Sequence, residues 1–331
     1  MTTQTIKRGD FLNASNYARK NILEINKSLL RGETAAAAEA QIHNAWKSII
    51  ACSEEAEAGG REQDRLALLL LETRATDTLF FPVQMRQIGG ASASLWCNLP
   101  FLVEDIVISW EDRWETMRPD YRCNFISFTA RLFAIGACSD WIALCGLHLL
   151  REVLETPILL LPKPQQFGKS DNFKAAAAPS IPRLQTPISF DPKTVLELLP
   201  ALRSFLDFGS ARLAALCNLS ADAGPLPAGL ERLRGLADPG PLARAAGVVA
   251  GPCGFAPQRW HFWTRRLMEI SEVCTSSTKD GLIASEAATC LGRMWDKEEL
   301  IAGPLTQGKA VNLDEDLARR QKLGLVATFL S

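Results

Sequence analysis

The 331-residue chain holds only three histidines, His43, His148 and His261, and lacks any C-x-x-C pair, H-E-x-x-H, G-x-S-x-G or Asp-rich D-D-x-x-D box. Support is therefore missing for zincin, serine-hydrolase and thiol-framework readings, whose chemistry needs those residue types at those spacings. Charge of one sign is also absent. The net charge is −1, so no phosphate backbone or anionic bilayer would attract the chain as a whole, and it has no basic stripe. The first ten residues carry no apolar core and no small-residue cleavage site, so no secretory signal is expected. The longest apolar stretch, Leu132 to Leu150, contains Asp140 and His148 and is edged by Arg131. A charge at bilayer mid-depth costs several kcal/mol, so this stretch reads as buried soluble helix and no membrane partner is expected.

Nine cysteines, an odd and widely spread set, sit mostly among Leu, Ala and Phe. They read as reduced thiols acting as small hydrophobes, which places the chain in the cytoplasm. With 47% hydrophobic and 22% charged residues, there is ample material for a core.

Period-2 strand runs and fixed-length repeats are missing, whereas helical spacing appears nearly everywhere. The fold expected is all-α, an irregular multi-helix bundle forming one domain over 1–331. Its helical segments cover about 10–156 and 191–330, with loop-rich insertions at 157–190 and 222–256. Asp10 and Thr34 open the first two helices, Gly32 ends the first, a third starts near Arg61, and Pro82 breaks or kinks the chain beyond it.

Leu102, Ile106, Trp110 and Trp114 recur every four residues as one wide apolar stripe. Pro119-Asp120 stops that helix, and another runs from about Tyr121 to Ala137. Ser139 or Asp140 caps a third, which presents Trp141, Leu144, Cys145 and His148 on one face and ends near Glu155. Short connections predict that these three pack as neighbours. Seven prolines fall between Pro157 and Pro192, and Asp191-Pro192 opens the next helix. Leu226–Leu236 is a short helical candidate, and Pro257 begins a strong helix with Trp260, Trp263, Leu267 and Ile270 on one face. Asp280 caps another helix, and an amphipathic segment runs from about Asn312 to Leu330.

Four groups invite chemistry. Gly168-Lys169-Ser170 suggests a phosphate loop, but the required upstream glycine is Lys163 and the setting is Pro-rich. Glu104, Glu111 and Glu115, spaced i, i+7, i+11, could present oxygens to magnesium. A solvated outer face beside the Trp110/Trp114 stripe is the plainer reading. His148 could serve as a general base, with Glu152 one turn on; a hydrogen-bonded core histidine is the plainer reading. Trp260, His261, Trp263, Arg265 and Arg266 could line a pocket for an anionic or planar ligand. Core anchoring by the indoles, with Arg265 paired to Glu269 at i+4, is the plainer alternative. No metal and no cofactor are implied.

Motifs add a resemblance. Trp96-Cys97-Asn98-Leu99-Pro100, then Trp110, Asn124-Phe125-Ile126-Ser127-Phe128-Thr129-Ala130-Arg131-Leu132 and Leu150-Arg151-Glu152-Val153-Leu154-Glu155 occur in that order. Later comes Gly254-Phe255-Ala256-Pro257-Gln258-Arg259-Trp260-His261-Phe262-Trp263-Thr264-Arg265-Arg266-Leu267. Together they resemble the fungal family catalogued as domain of unknown function 3632, from about residue 20 to 300 with a poorly matched middle. The resemblance implies a helical intracellular fungal protein without an established activity or accepted catalytic residues. Some relatives lie beside specialised-metabolism genes.

Two readings compete. The first is a non-catalytic interaction or accessory protein, with an unknown protein partner or self-association and tryptophans that simply fill the core. The alternative is an enzyme or binder of fungal specialised metabolism, cyclase-like on an apolar small molecule. In that case Trp110, Trp114, Trp260 and Trp263 would line the pocket, with Glu111, Glu115 or Arg265 supplying polarity. A filled interior favours the first; a cavity with carboxylates or an arginine at its mouth favours the second.

Overall fold

The computed structural model describes residues 8–31, 35–80, 96–157, 193–219, 226, 230–251, 253–273 and 278–301. Gly32, Thr34, Pro82, nearly all of the Pro-rich 157–192 stretch, Cys274 and the 312–330 segment lie outside them. The described residues are all-α, with no strand among them.

Three long helices come first: α1 (Arg8–Leu30), α2 (Ala35–Glu55) and α3 (Arg61–Phe80). After them come α4 (Leu102–Arg113), α5 (Pro119–Ala134), α6 (Leu144–Leu150) and α7 (Lys193–Leu219). The chain then continues through α8 (Pro241–Ala245), α9 (Pro257–Val273), α10 (Thr278–Trp295) and the short α11 (Glu298–Ile301). Asp10 and Asp280 sit within the first turns of α1 and α10 rather than ahead of them. Pro119 opens α5, where its missing N–H is harmless, while α4 has already ended at Arg113. The 226–236 candidate is a 3-10 turn over Glu231–Leu236.

The expected third helix of the Trp-rich block is one helical run with three pitches. Asp140–Ala143 is 3-10, Leu144–Leu150 is α, and Arg151–Glu155 is a π turn. Ser139 caps it, its Oγ accepting from the Trp141 N–H at 3.4 Å. A π turn inserts an extra residue and redirects the side chains after it, and such turns occur frequently at functional sites.

At the centre lies α5, buried without interruption from Phe125 to Phe133. It packs most extensively on α7, and α2 and α3 cover it elsewhere; α9 and α10 pair with each other, and α10 also covers α7. α4 lies against α2 and α6, and reaches α5 where Trp110 stacks on Phe125, ring centroids 5.8 Å apart. Trp46, Trp96, Trp110, Trp260 and Trp263 are fully buried. Each large apolar side chain removed from water contributes roughly 1.5–3 kcal/mol, so these indoles are substantial individual anchors of the core.

Polar residues of the recurring motifs join the helices. The Oδ1 of Asn124 accepts from the Ala58 N–H at 2.7 Å and its Nδ2 donates to the Glu54 carbonyl at 2.8 Å, pinning the α2–α3 turn to α5. Gln63 donates to the Ala56 and Asn124 carbonyls and accepts from Arg131. The Trp96–Pro100 turn is held from outside: Trp96 donates to Asn26 Oδ1 and Trp46 to the Pro100 carbonyl. Those bonds stabilise left-handed backbone at Leu99 and Phe101, φ 46° and 64°, which costs about 1–2 kcal/mol per non-glycine residue.

No helix among the described residues is long and apolar enough to cross a membrane.

Candidate functional site

Helices α4, α5, α6 and α7, the π turn and the 3-10 turn that ends at Leu236 converge on a cleft of about 550 Å³. The end of α4 and the turn after it bring Glu111, Trp114 and Glu115, α5 brings Arg122, and α6 brings His148. Arg151 and Glu152 come from the π turn, and Glu197 and Leu198 from α7. The volume suits a small metabolite.

His148 lies at its inner wall, its side chain 5% exposed. All of α6 is buried, which fixes the ring between Trp114, edge-on with centroids 4.7 Å apart, and Trp110 at 6.1 Å. Nδ1 stands 3.0 Å from Glu111 Oε2, an ion-pair distance, but has no hydrogen-bond partner among the described residues. The hydrogen-bonded core histidine expected from the sequence is buried as foreseen, but this nitrogen is left without its bond. A buried acceptor or donor in that state costs about 1–3 kcal/mol, which a bound group could recover.

The other two histidines differ. His43 Nδ1 bonds both carboxylate oxygens of Asp105 at 2.8 Å, bridging α2 and α4; burial pushes the Asp105 carboxyl up more strongly than His43 pulls it down. His261 pairs with Glu298 at 3.1 Å on a half-exposed surface, and that bond raises the imidazole above its usual value against the effect of burial.

Both arginines of the cleft are anchored to backbone. The buried Arg122 donates to the carbonyls of Trp114 and Met117, each at 3.0 Å, and so holds the turn that carries Glu115; burial lowers its guanidinium from the ordinary value. Arg151 donates to the Gly235 carbonyl.

Of the residues singled out in the sequence, Glu111, Trp114 and Glu115 share this cleft. Trp110 lies buried behind it. Glu104 is not among its lining residues, and among the described residues no group of three His, Cys, Asp or Glu side chains could hold a metal ion. Trp260 and Trp263 are buried elsewhere: their indole N–H groups donate to Glu298 at 2.9 Å and to Glu155 at 2.7 Å. Arg265 is exposed beside Glu269 at 3.9 Å, the i+4 neighbour. Gly168 to Ser170 lies outside the described residues.

Sequence reasoning sought the partner of His148 on its own helix and so missed Glu111, which the α4–α6 packing supplies. It also missed Arg122 and Glu197. Their only sequence signal was an ionisable residue at a position the helical stripe assigns to the interior or its edge.

Among the described residues, eight cysteines are free thiols. Burial pushes Cys52 up to about 11, and Cys138 and Cys217 up to about 12, so these behave as inert hydrophobes rather than nucleophiles.

The architecture is that of an all-α protein with a polar, tryptophan-edged cleft at a junction of helices. The chain belongs to the family described as "Protein of unknown function (DUF3632)", whose match spans residues 46–267, from the buried Trp46 to Leu267 of α9. It is similar to the "Oxopyrrolidines biosynthesis cluster protein G" of Penicillium oxalicum, 26% identical over 280 residues, covering 81% of this chain and 70% of that protein. No solved structure matches.

Proposed function

We propose that this protein binds a small molecule of fungal specialised metabolism in the His148 cleft, with the His148–Glu111 pair holding, and able to take a proton from, a polar group of that molecule. The single observation carrying the reading is His148 itself: a buried imidazole facing a metabolite-sized cleft, with Nδ1 lacking a hydrogen bond and a carboxylate 3.0 Å away. Imidazole beside carboxylate is a pairing used for proton transfer, and such contacts commonly tighten only when a ligand is bound. The relative named for a biosynthesis cluster supports the metabolic setting. Buried free thiols support a cytoplasmic location.

Native mass spectrometry of the full chain after equilibration with a fungal metabolite extract tests this. The expected result is a retained small molecule that is lost in His148→Gln and Trp114→Ala. Retention unchanged in both variants, or no retention by the parent protein, removes the cleft from the account.

The second reading, an interaction or accessory protein, draws on an apolar surface hollow of about 360 Å³ lined by Leu68, Leu71, Ile135 and Phe208. Light scattering distinguishes it: self-association lost in Phe208→Ser supports it, and a monomer at all concentrations leaves self-association without basis.

A further inference from the structure

We propose that the cleft selects a cationic nitrogen, an organic ammonium rather than an anion, a neutral group or a metal ion; the inference rests on the cleft being the binding site. Among the described lining residues, Glu111, Glu115, Glu152 and Glu197 outnumber the two guanidinium groups by two. Both guanidiniums already donate to backbone carbonyls, Arg122 to Trp114 and Met117, and Arg151 to Gly235. An anion there would face four carboxylates that oppose it, whereas an ammonium is drawn to them.

His148 supplies an independent indication. Its side chain is 5% exposed, it lines the cleft, and its Nδ1 lacks a hydrogen bond while standing 3.0 Å from a carboxylate oxygen. An organic ammonium brings several N⁺–H donors into this space, where the carboxylates that line it accept. Trp114 adds a partly open indole edging the same space. Tryptophan is the side chain whose ring face attracts cations best, and the attraction grows as the cation is desolvated. An inorganic cation needs several hard oxygens converging on one point. Because no group of three ligating side chains could hold a metal ion among the described residues, a cation carrying its own apolar body fits better.

Calorimetric titration of the full chain with three matched probes provides the test: 2-phenylethylammonium, the neutral 2-phenylethanol and the anionic 3-phenylpropionate. The expected order is ammonium at least tenfold tighter than the alcohol, and no measurable heat from the carboxylate. Glu115→Gln and Trp114→Leu should each weaken the ammonium at least threefold. Glu115 is exposed, so its variant should keep the parent's circular dichroism and melting temperature. Equal or tighter binding of the alcohol or carboxylate, lost in Trp114→Leu, would overturn the charge preference while leaving the cleft as the site. Ammonium binding that neither variant changes, or no binding of any probe, would overturn both.

Discussion

Glu155 and Arg259, 104 residues apart, meet as an ion pair in which neither side chain touches solvent, Nε to Oε1 at 2.6 Å. The π turn delivers Glu155 and the first turn of α9 delivers Arg259. Glu155 also accepts from the Trp263 indole and the Gly240 N–H, and Arg259 also donates to the Ala237 and Gly254 carbonyls. Two motif blocks far apart in the chain are thus one structural unit. The Glu that ends the first is gripped by the Arg and second Trp of the other. Gly254 is required beside them: at φ 87° a Cβ would lie 2.8 Å from Leu147 and 2.9 Å from the Ala237 backbone.

Removing either partner strands a charge in the interior. Glu155→Ala and Arg259→Ala should each lower stability by about 3–5 kcal/mol, measured by urea unfolding. The double variant Glu155→Ala/Arg259→Ala should lose less than the sum of the two. Strictly additive losses would show that the pair does not act as one unit.

Gly146 lets α6 meet α7 closely. A Cβ there would fall 2.2 Å from Cζ of the fully buried Phe205, whose ring stacks on Phe133. Gly146→Ala should therefore destabilise by about 1–3 kcal/mol despite the better helix propensity of alanine, and Phe205→Leu in the same chain should return part of that loss. A gain in melting temperature for Gly146→Ala would contradict the close crossing.

The His261–Glu298 pair carries a pH dependence. The folded imidazole is raised above its unfolded value, so the pair stabilises fully below about pH 6.5 and the contribution fades as pH rises through the folded value. Being half exposed, it is worth less than about 1 kcal/mol. Replacing His261 by Gln should flatten the stability profile over the span that begins near pH 6.5 and runs up through the raised folded value. An unchanged slope would place the dependence elsewhere.

Much of the architecture is legible from spacing alone. The stripe Leu102–Ile106–Trp110 and the face of Trp260, Trp263, Leu267 and Ile270 name helices whose burial accords with their periodicity. Pitch changes are not legible: nothing local in Arg151–Glu155 distinguishes π from α, because contacts with α7, α8 and α9 hold that turn. Pro119 reads as a stop or a start with equal ease, since a proline at a first helical position breaks one helix and begins another. Part of the cleft is visible in the same way, as Glu111, Trp114 and Glu115 lie on or just past α4. His148 stands out as a residue, but its partner comes from a different helix, and only tertiary packing brings the two together.

The role of His148 can be read directly, because the chain has three histidines and all belong to distinct environments. Nitrogen-15 NMR of histidine-labelled protein, titrated with 2-phenylethylammonium or with a molecule retained from metabolite extract, resolves each ring separately. The account predicts that the ring resonances assigned to His148 by their loss in His148→Gln shift on binding, while those of His43 and His261 stay in place. Binding that leaves the His148 resonances unmoved, or moves those of His43 or His261 instead, would contradict it.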